Sequence, residues 1–221
     1  MFDIQMIEAP ELLDRDERSV GNGGFSSSSF LISKRFFDVC VSLLLLPVLA
    51  VIATFLLVLN PFYNRGGVFY TQRRMGRECK PFVAWKFRSM VDTKEVKRGA
   101  DAPLELDRIT PLGGFLRKSR IDELPQVINV LKGDMSLIGP RPDYYDHALE
   151  FLERVPGYRA RHQIRPGISG LAQTELGYIQ GVEATGRKVR ADLYYISNAS
   201  LRLDTWVFWR TLSVVFKRAG A

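Results

Sequence analysis

Two adjacent carboxylates, Asp122 and Glu123, lie in the basic stretch "RKSRIDELPQ". Three cations come just before them: Arg117, Lys118 and Arg120. Positive charges at such short range keep carboxylates ionised at neutral pH, and they can also hold a phosphate group. One ionised carboxylate could then attack phosphorus, while its neighbour binds a magnesium ion that neutralises the phosphate oxygens. The pair therefore indicates phosphoryl-transfer chemistry.

A purely structural role is the alternative for the same residues. Ser119 precedes Asp122 by three positions, which is the spacing of a capping box and predicts a helix start. Pro125 suits the first turn of a helix, where backbone N–H groups have no partner within the helix. Those N–H groups and the helix dipole also attract anions. A cap needs only one carboxylate, so this interpretation leaves Glu123 without a role.

Further candidates lie upstream of the pair. The stretches "GGVFYTQRRMG" and "KPFVAWKFRSM", joined by the turn "GREC", have the residues typical of a β-hairpin. On the second strand Lys86 and Arg88 share one face, which is either a solvated surface or a pair of phosphate donors. His147 and His162 lack the spacing of metal ligands and are interpreted as ordinary surface or core residues. The sequence contains no phosphate loop of the P-loop type and no dinucleotide fingerprint.

The elements that must position these residues are mainly helical. A short helix, a break and a second helix ending at Gly133 are predicted around the carboxylate pair. The segment "SLIGPRPDYYD" is predicted to be a rigid turn, and "ALEFLERV" and "VEATGRKVRADLYYISNAS" to be helices. The last segment, "LRLDTWVFWRTLSVVFKRAG", combines Trp206 with basic residues. It suits either a helix in the headgroup region of a membrane or one docked on the core.

A long apolar run precedes the hairpin, because residues 39–59 carry no charge. As one straight helix this run would rise about 31 Å, enough for a single transmembrane anchor. Pro47 divides the run into two segments that are each too short to cross a bilayer. Cations lie on both sides of the run, so the positive-inside rule favours no through-going orientation. The alternative is a helix that bends at Pro47 and leaves on the side from which it entered.

Composition sets the limits of these interpretations. The 221 residues suit one catalytic unit with an appendage, and 31 basic against 24 acidic residues favour an anionic partner such as phosphate esters, nucleic acid or acidic lipid. Cys40 and Cys79 do not have the pattern of a structural disulfide, which favours a reducing compartment. Residues 1–33 change from acidic to Gly/Ser-rich and are predicted to be a flexible extension without the pattern of a secretory signal.

Taken in order, six blocks of sequence resemble the bacterial sugar transferase family, the monotopic polyprenyl-phosphate phosphoglycosyl transferases. The blocks are "KRFFD" with the Pro-broken apolar run, "VFYTQRRMG", "WKFRSM", "LRKSRIDELPQVINVLKGDMSLIGPRP", "RPGISGLAQ" and "DLYYISNASLRLD", and together they cover roughly residues 34–218. The resemblance implies an α+β fold, mainly helical, with a small β-hairpin and amphipathic interfacial helices. It also implies a Pro-kinked re-entrant membrane helix over residues 34–63, hinged at Pro47, and a cytoplasmic catalytic domain over residues 64–221 that ends in an interfacial helix.

The same resemblance implies an activity. Members transfer a sugar-1-phosphate from a UDP-sugar to a polyprenyl phosphate, typically undecaprenyl phosphate. The reaction takes place at the cytoplasmic face of the bacterial inner membrane. It initiates the synthesis of a surface glycan such as an exopolysaccharide, an O-antigen or a glycoprotein glycan. The mechanism is ping-pong. Asp122 would be the nucleophile that releases UMP and carries the phosphosugar, and Glu123 would help to bind Mg²⁺. The partners are a UDP-sugar, polyprenyl phosphate and membrane lipid, with no nucleic acid, and a homo-oligomer is left open. The expected substrate-binding residues are Lys86, Arg88, Arg120, Arg141, Arg165, Gly167 and Asp192.

Two positions depart from the family pattern. Leu46 stands before Pro47, where the family often has a serine whose hydroxyl helps to satisfy backbone groups freed by the kink, so Ser42 is the candidate replacement. After "GLAQ" this chain has "TELGYIQGVEATGR" in place of an Asn-Gly-Arg type sequence, which leaves Arg187, or no arginine, in the phosphate-binding role.

Two rival functions are also compatible with the sequence. One is a membrane-tethered basic module that binds nucleic acid or anionic lipid, and the other is a bitopic glycosyltransferase that releases UDP.

Overall fold

The computed structural model describes residues 28–64, 66–91, 105–176 and 182–216. Within them the fold is mostly helical with one small antiparallel hairpin, as predicted. The helices are α1 (Ser28–Tyr63), α2 (Pro111–Lys118), α3 (Val127–Lys132), α4 (Tyr145–Arg154), α5 (Leu171–Leu176), α6 (Val182–Ser197) and α7 (Leu201–Phe216). The strands are β1 (Phe69–Met75), β2 (Pro81–Phe87), β3 (Ser136–Ile138) and β4 (Gly167–Ser169), and a 3₁₀ turn, Ile121–Gln126, joins α2 to α3.

The hairpin of β1 and β2 is confirmed, with Phe69 opposite Phe87 and Met75 opposite Pro81. Its connection is tight, because Glu78 and Cys79 adopt positive φ angles of 57° and 58°. Neither Cys40 nor Cys79 forms a disulfide.

A second, parallel strand pair was not predicted. β3 lies in the segment that was predicted to be a rigid turn, and β4 lies in the block "RPGISGLAQ", for which no strand was predicted. Each strand is only three residues long. The two backbones approach so closely that a Cβ on Gly167 would lie 2.2 Å from the Gly139 nitrogen. Glycine at position 167 therefore lets β4 pack against the chain just before Pro140 and Arg141, and the Gly167 N–H donates to the Pro140 carbonyl at 2.9 Å.

Helix α1 begins at Ser28, so residues 28–33 are helical rather than part of the predicted extension, and the rest of that extension lies outside the described residues. The helix continues through Pro47, and it is the one helix in the described part of the chain with the length and composition to cross a membrane. The predicted bend and return at Pro47 remain a prediction. Ser42 does not take the role expected of it, because its buried hydroxyl has no hydrogen-bond partner in the part of the chain that the structure describes.

One face of α1 lies against the rest of the protein along the whole length of the helix. Its buried side chains recur at helical spacing: Lys34, Asp38, Ser42, Leu49, Leu56 and Asn60. In the first half the contacts are polar, because Lys34 pairs with Asp204 at 2.7 Å and Asp38 accepts from the Leu137 N–H at 3.0 Å. In the second half they are apolar, since Leu49 and Leu56 share a cluster with Phe87, Leu116 and Val127.

The larger apolar core lies among α4, α6, α7 and the short parallel strands. On α7 Leu203 and Val207 are buried in this core, whereas Trp209 is 64% exposed. One face of α7 is therefore docked, as one interpretation of its sequence predicted, and the opposite face carries an exposed aromatic residue. His162 is a core residue whose Nδ1 lies 3.1 Å from the Gly76 carbonyl, and burial lowers its pKa to about 3.

Candidate active site

The carboxylate pair lies in the 3₁₀ turn between α2 and α3. Ser119 ends α2 rather than capping a new helix, and its hydroxyl donates to the Phe115 carbonyl at 2.7 Å. Arg120 then takes the left-handed conformation, with φ at 58°, which turns the chain away from the helix axis. The capping-box interpretation of Ser119 and Asp122 is therefore wrong, because the serine hydroxyl is engaged by the preceding helix.

Glu123 is the centre of a cluster of cations. Lys86 from β2 donates to its carboxylate at 2.8 Å, and both terminal nitrogens of Arg141 donate to it in a forked arrangement. Arg120 adds a longer contact of 3.4 Å. Burial alone would raise the pKa of Glu123, but the charges of Arg141 and Lys86 outweigh that effect and hold its pKa well below the ordinary value. The cations therefore favour the ionised form of Glu123.

Asp122 lies beside this cluster in a different state. Its side chain is buried, and no hydrogen bond or ion pair to its carboxylate is found in the described part of the chain. Burial raises the pKa of Asp122 above its ordinary value, and the charge of Lys86 opposes that rise. An anion that is desolvated and not held by donors is a stronger nucleophile than one already bound, because fewer contacts must break when it attacks.

Three of the predicted binding residues, Lys86, Arg120 and Arg141, meet at the carboxylate pair. Four others make their contacts elsewhere. Arg88 donates to the Gly67 carbonyl at 2.9 Å, and Arg165 donates to the Gly133 carbonyl at the end of α3. Gly167 supports the backbone before Arg141, and Asp192 is buried against Arg161 at 2.7 Å.

A buried ionic network holds the segment that carries Arg141. Arg161 pairs with both Asp143 and Asp192, and it also donates to the Arg141 carbonyl at 2.7 Å. Lys188 of α6 and the Tyr158 hydroxyl donate to Asp143 as well. Burial by itself would raise the pKa of Asp143, but the charges of Lys188 and Arg161 hold it far below its ordinary value. Arg187, the sequence candidate for a phosphate ligand, is instead exposed on α6.

Sequence analysis missed two further residues that build the site. Asn129 of α3 donates to the Val83 carbonyl at 2.7 Å and accepts from the Trp85 N–H at 3.0 Å, so its amide binds the free edge of β2 next to Lys86. Arg74 of β1 donates to the Pro142 carbonyl at 2.6 Å. Both residues lie inside the blocks that carried the family resemblance, but one polar residue in a strand or helix has no spacing signal of its own.

A magnesium ion at this site would have to be shared with a substrate. Magnesium uses one or two protein carboxylates and fills its other positions with water and phosphate oxygens. The described residues contain no group of three His, Cys, Asp or Glu side chains that could bind a metal without a substrate. Glu123 is the candidate ligand, and both of its carboxylate oxygens accept hydrogen bonds from cations. A metal ion bound there would replace some of these hydrogen bonds. The longest of them is the 3.4 Å contact with Arg120.

Comparison with known proteins found one matching family and several relatives. The sequence profile of a family described as bacterial sugar transferase matches residues 29–218. A UDP-N-acetylgalactosamine-undecaprenyl-phosphate N-acetylgalactosaminephosphotransferase of Aeromonas hydrophila is 39% identical over 196 residues, which are 88% of this chain and 46% of that protein. A UDP-glucose:undecaprenyl-phosphate glucose-1-phosphate transferase of Caulobacter vibrioides is 37% identical over 188 residues, 84% of this chain and 68% of the relative.

A shorter relative is covered almost completely. The exopolysaccharide production protein PSS of Rhizobium leguminosarum bv. phaseoli is 39% identical over 194 residues, which are 82% of this chain and 94% of the relative. By contrast, the chain spans less than half the length of the Aeromonas relative. The match in every case includes most of the present chain, and the family profile extends from the start of α1 to the end of α7. The chain belongs to the bacterial sugar transferase family.

Proposed function

We propose that this protein transfers a sugar-1-phosphate from a UDP-sugar to undecaprenyl phosphate and releases UMP. The observation that carries the proposal is the unequal pair of acids: Glu123 is held by three cations, whereas Asp122 is buried with no hydrogen bond to any described residue. The names of the relatives support the same reaction and include both N-acetylgalactosamine and glucose donors. The sugar that this protein uses is therefore left to experiment.

The reaction would take place in two displacements at phosphorus. In the first, an Asp122 oxygen attacks the phosphorus that bears the sugar, the bond to the bridging oxygen of the diphosphate breaks, and UMP leaves with that oxygen. The enzyme then carries the sugar phosphate as an acyl phosphate on Asp122. In the second, an oxygen of undecaprenyl phosphate attacks the same phosphorus, and the Asp122 carboxylate leaves.

The cations around Glu123 make attack by one anion on another feasible. Lys86 and Arg141 place fixed positive charge beside Asp122 in a site largely shielded from water, where charges act more strongly than in bulk solvent. Magnesium, bound through Glu123, would neutralise phosphate oxygens of the donor. The network around Arg161 holds the Arg141 carbonyl and so keeps the guanidinium directed towards Glu123.

The substrates also suggest how the protein meets the membrane. A UDP-sugar is water-soluble, whereas undecaprenyl phosphate keeps its phosphate at the membrane surface, so the site must lie at that surface on the cytoplasmic side. We propose that α1 enters the membrane, bends at Pro47 and returns to the same side. Support comes from Leu49 and Leu56, which lie after Pro47 and still pack against Leu116 and Val127 of the domain that carries the site.

Topology can be tested with terminal tags in spheroplasts. If α1 re-enters, a tag at residue 1 and a tag at residue 221 will both be protected from protease added outside, because both ends lie in the cytoplasm. A cytoplasmic and a periplasmic marker protein control for leakage. Digestion of the N-terminal tag alone would show a spanning helix instead.

The proposed reaction is tested by incubating the purified protein with undecaprenyl phosphate, Mg²⁺ and each of a series of UDP-sugars. We expect one or a few of the donors to yield UMP together with an undecaprenyl diphosphate sugar. Release of UDP in place of UMP would identify a glycosyltransferase that leaves both phosphates on the nucleotide. No turnover with any donor would favour a non-catalytic membrane-bound module.

A further inference from the structure

The cation cluster around the carboxylate pair extends to a residue that the proposed reaction does not yet use. Arg74 lines a narrow pocket next to the pair, together with Lys86, Gln126 and Arg141. Its two terminal nitrogens are occupied, one by the Pro142 carbonyl at 2.6 Å and the other by the Gln72 side chain at 2.8 Å. Its Nε is buried and has no hydrogen-bond partner among the described residues.

A buried donor without an acceptor is unusual and costly in a folded protein. Such a group has lost its contacts with water without gaining an acceptor, and the loss is larger for a charged group. Arg74 also feels a second guanidinium, because its pKa is lowered first by burial and next by the charge of Arg141. The carboxylates of Asp143 and Glu123 oppose that lowering.

Counting charges shows how much negative charge the pocket can accept. Arg74, Lys86, Arg120 and Arg141, together with Arg117 near Asp122, outnumber the two carboxylates of Asp122 and Glu123 and leave an excess of positive charge. The neighbouring network does not offset this excess, because Arg161 and Lys188 are balanced there by Asp143 and Asp192. A nucleotide sugar carries two negative charges on its diphosphate.

We propose that Arg74 is a further binding residue for the donor, whose Nε–H donates to an oxygen of the diphosphate group. This inference rests on the proposed function and adds to it the residue on β1 that recognises the phosphates. In the present arrangement Lys86 and Arg141 are turned onto Glu123, so the arriving diphosphate would share these two cations with that carboxylate. Arg74 also donates to the carbonyl of Pro142, the residue after Arg141. Binding of the donor to Arg74 would therefore be coupled to the position of Arg141.

The first test compares Arg74→Lys with Arg73→Lys in the full-length protein. Lysine at position 74 keeps the charge but cannot hold the Pro142 carbonyl, Gln72 and a phosphate oxygen together. Arg73 is the matched control, since it is the adjacent arginine and its guanidinium lies over the Tyr145 ring at 4.9 Å. Calorimetry with inorganic pyrophosphate and with UMP should show at least tenfold weaker binding of pyrophosphate for Arg74→Lys and an unchanged affinity for Arg73→Lys.

A second variant keeps the test decisive if Arg74→Lys does not fold. Gln126→Glu has nearly the same shape and places a carboxylate in the pocket, where it would pair with Arg74 and compete with the ligand. We expect it to weaken pyrophosphate binding at least tenfold and at the same time to raise the unfolding midpoint, because the buried cations gain a partner. A pocket that binds no anion would show the stabilisation without any effect on binding.

The outcomes separate this inference from the proposed function. Wild-type pyrophosphate affinity in either Arg74→Lys or Gln126→Glu, or no pyrophosphate binding by the wild-type protein, would overturn the role of Arg74. If UMP is never released from any UDP-sugar but pyrophosphate binding still depends on Arg74 and Gln126, the binding site stands and the proposed reaction does not.

Discussion

Replacing Asp122 by asparagine should eliminate turnover without weakening the fold. The amide cannot form an acyl phosphate, so we expect UMP release from the preferred UDP-sugar to fall by at least about 1,000-fold, the scale seen when a covalent nucleophile is removed. Stability should stay the same or increase, because the variant removes a buried carboxylate with no hydrogen bond to the described residues. Initial rates of UMP release and the thermal unfolding midpoint measure the two effects.

Asp107→Asn is the matched control for that variant. Asp107 is also an aspartate in a 3₁₀ segment, but its side chain is exposed, so the same substitution there should change neither rate nor midpoint. Intact-mass analysis of the wild-type protein after incubation with donor alone should show one added sugar phosphate, and Asp122→Asn should show none. Substantial UMP release by Asp122→Asn, with the wild-type midpoint, would rule out Asp122 as the nucleophile.

The sequence predicted the acids, Lys86 and Arg141 of this site but not the way in which the two acids differ. Charge spacing indicated that flanking cations would act on both carboxylates alike. In the folded chain Arg141, which is eighteen positions from Glu123, supplies a forked contact to that residue alone. The difference between Asp122 and Glu123 is thus set by long-range contacts, which residue spacing within "RKSRIDELPQ" does not encode.

Local patterns were reliable where a local force determines the structure. The hairpin followed from β-branched and aromatic residues around a tight turn, and the end of α3 followed from Gly133, whose φ is 90°. The short strands β3 and β4 were missed because three residues are too few for a periodic signal, and their pairing depends on the close approach of Gly139 and Gly167. The capping interpretation of Ser119 failed because the same hydroxyl can bond to the helix that precedes it.

Replacing Glu123 by glutamine should have the opposite effect on stability. Glu123 is 5% exposed and neutralises Lys86, Arg120 and Arg141, so its loss leaves three close cations without their shared anion. Breaking a buried pair by removing one partner typically costs ~3–5 kcal/mol, which we expect to appear as a lower unfolding midpoint. Activity should also fall, by at least about 100-fold, because Lys86 and Arg141 lose the Glu123 contacts that hold them beside Asp122.

Glu78→Gln separates this effect from the loss of an ordinary ion pair. Glu78 also contacts two cations, Lys80 at 2.8 Å and Arg77 at 3.6 Å, but all three side chains are exposed at the hairpin turn. Solvent screens such contacts, so Glu78→Gln should keep both the wild-type midpoint and the wild-type rate. A Glu123→Gln protein that unfolds at the wild-type temperature would mean that the cations do not depend on Glu123. Asp122→Asn and Glu123→Gln would then both leave stability unlowered. That result would contradict the assignment of catalysis to Asp122 and of structural support to Glu123.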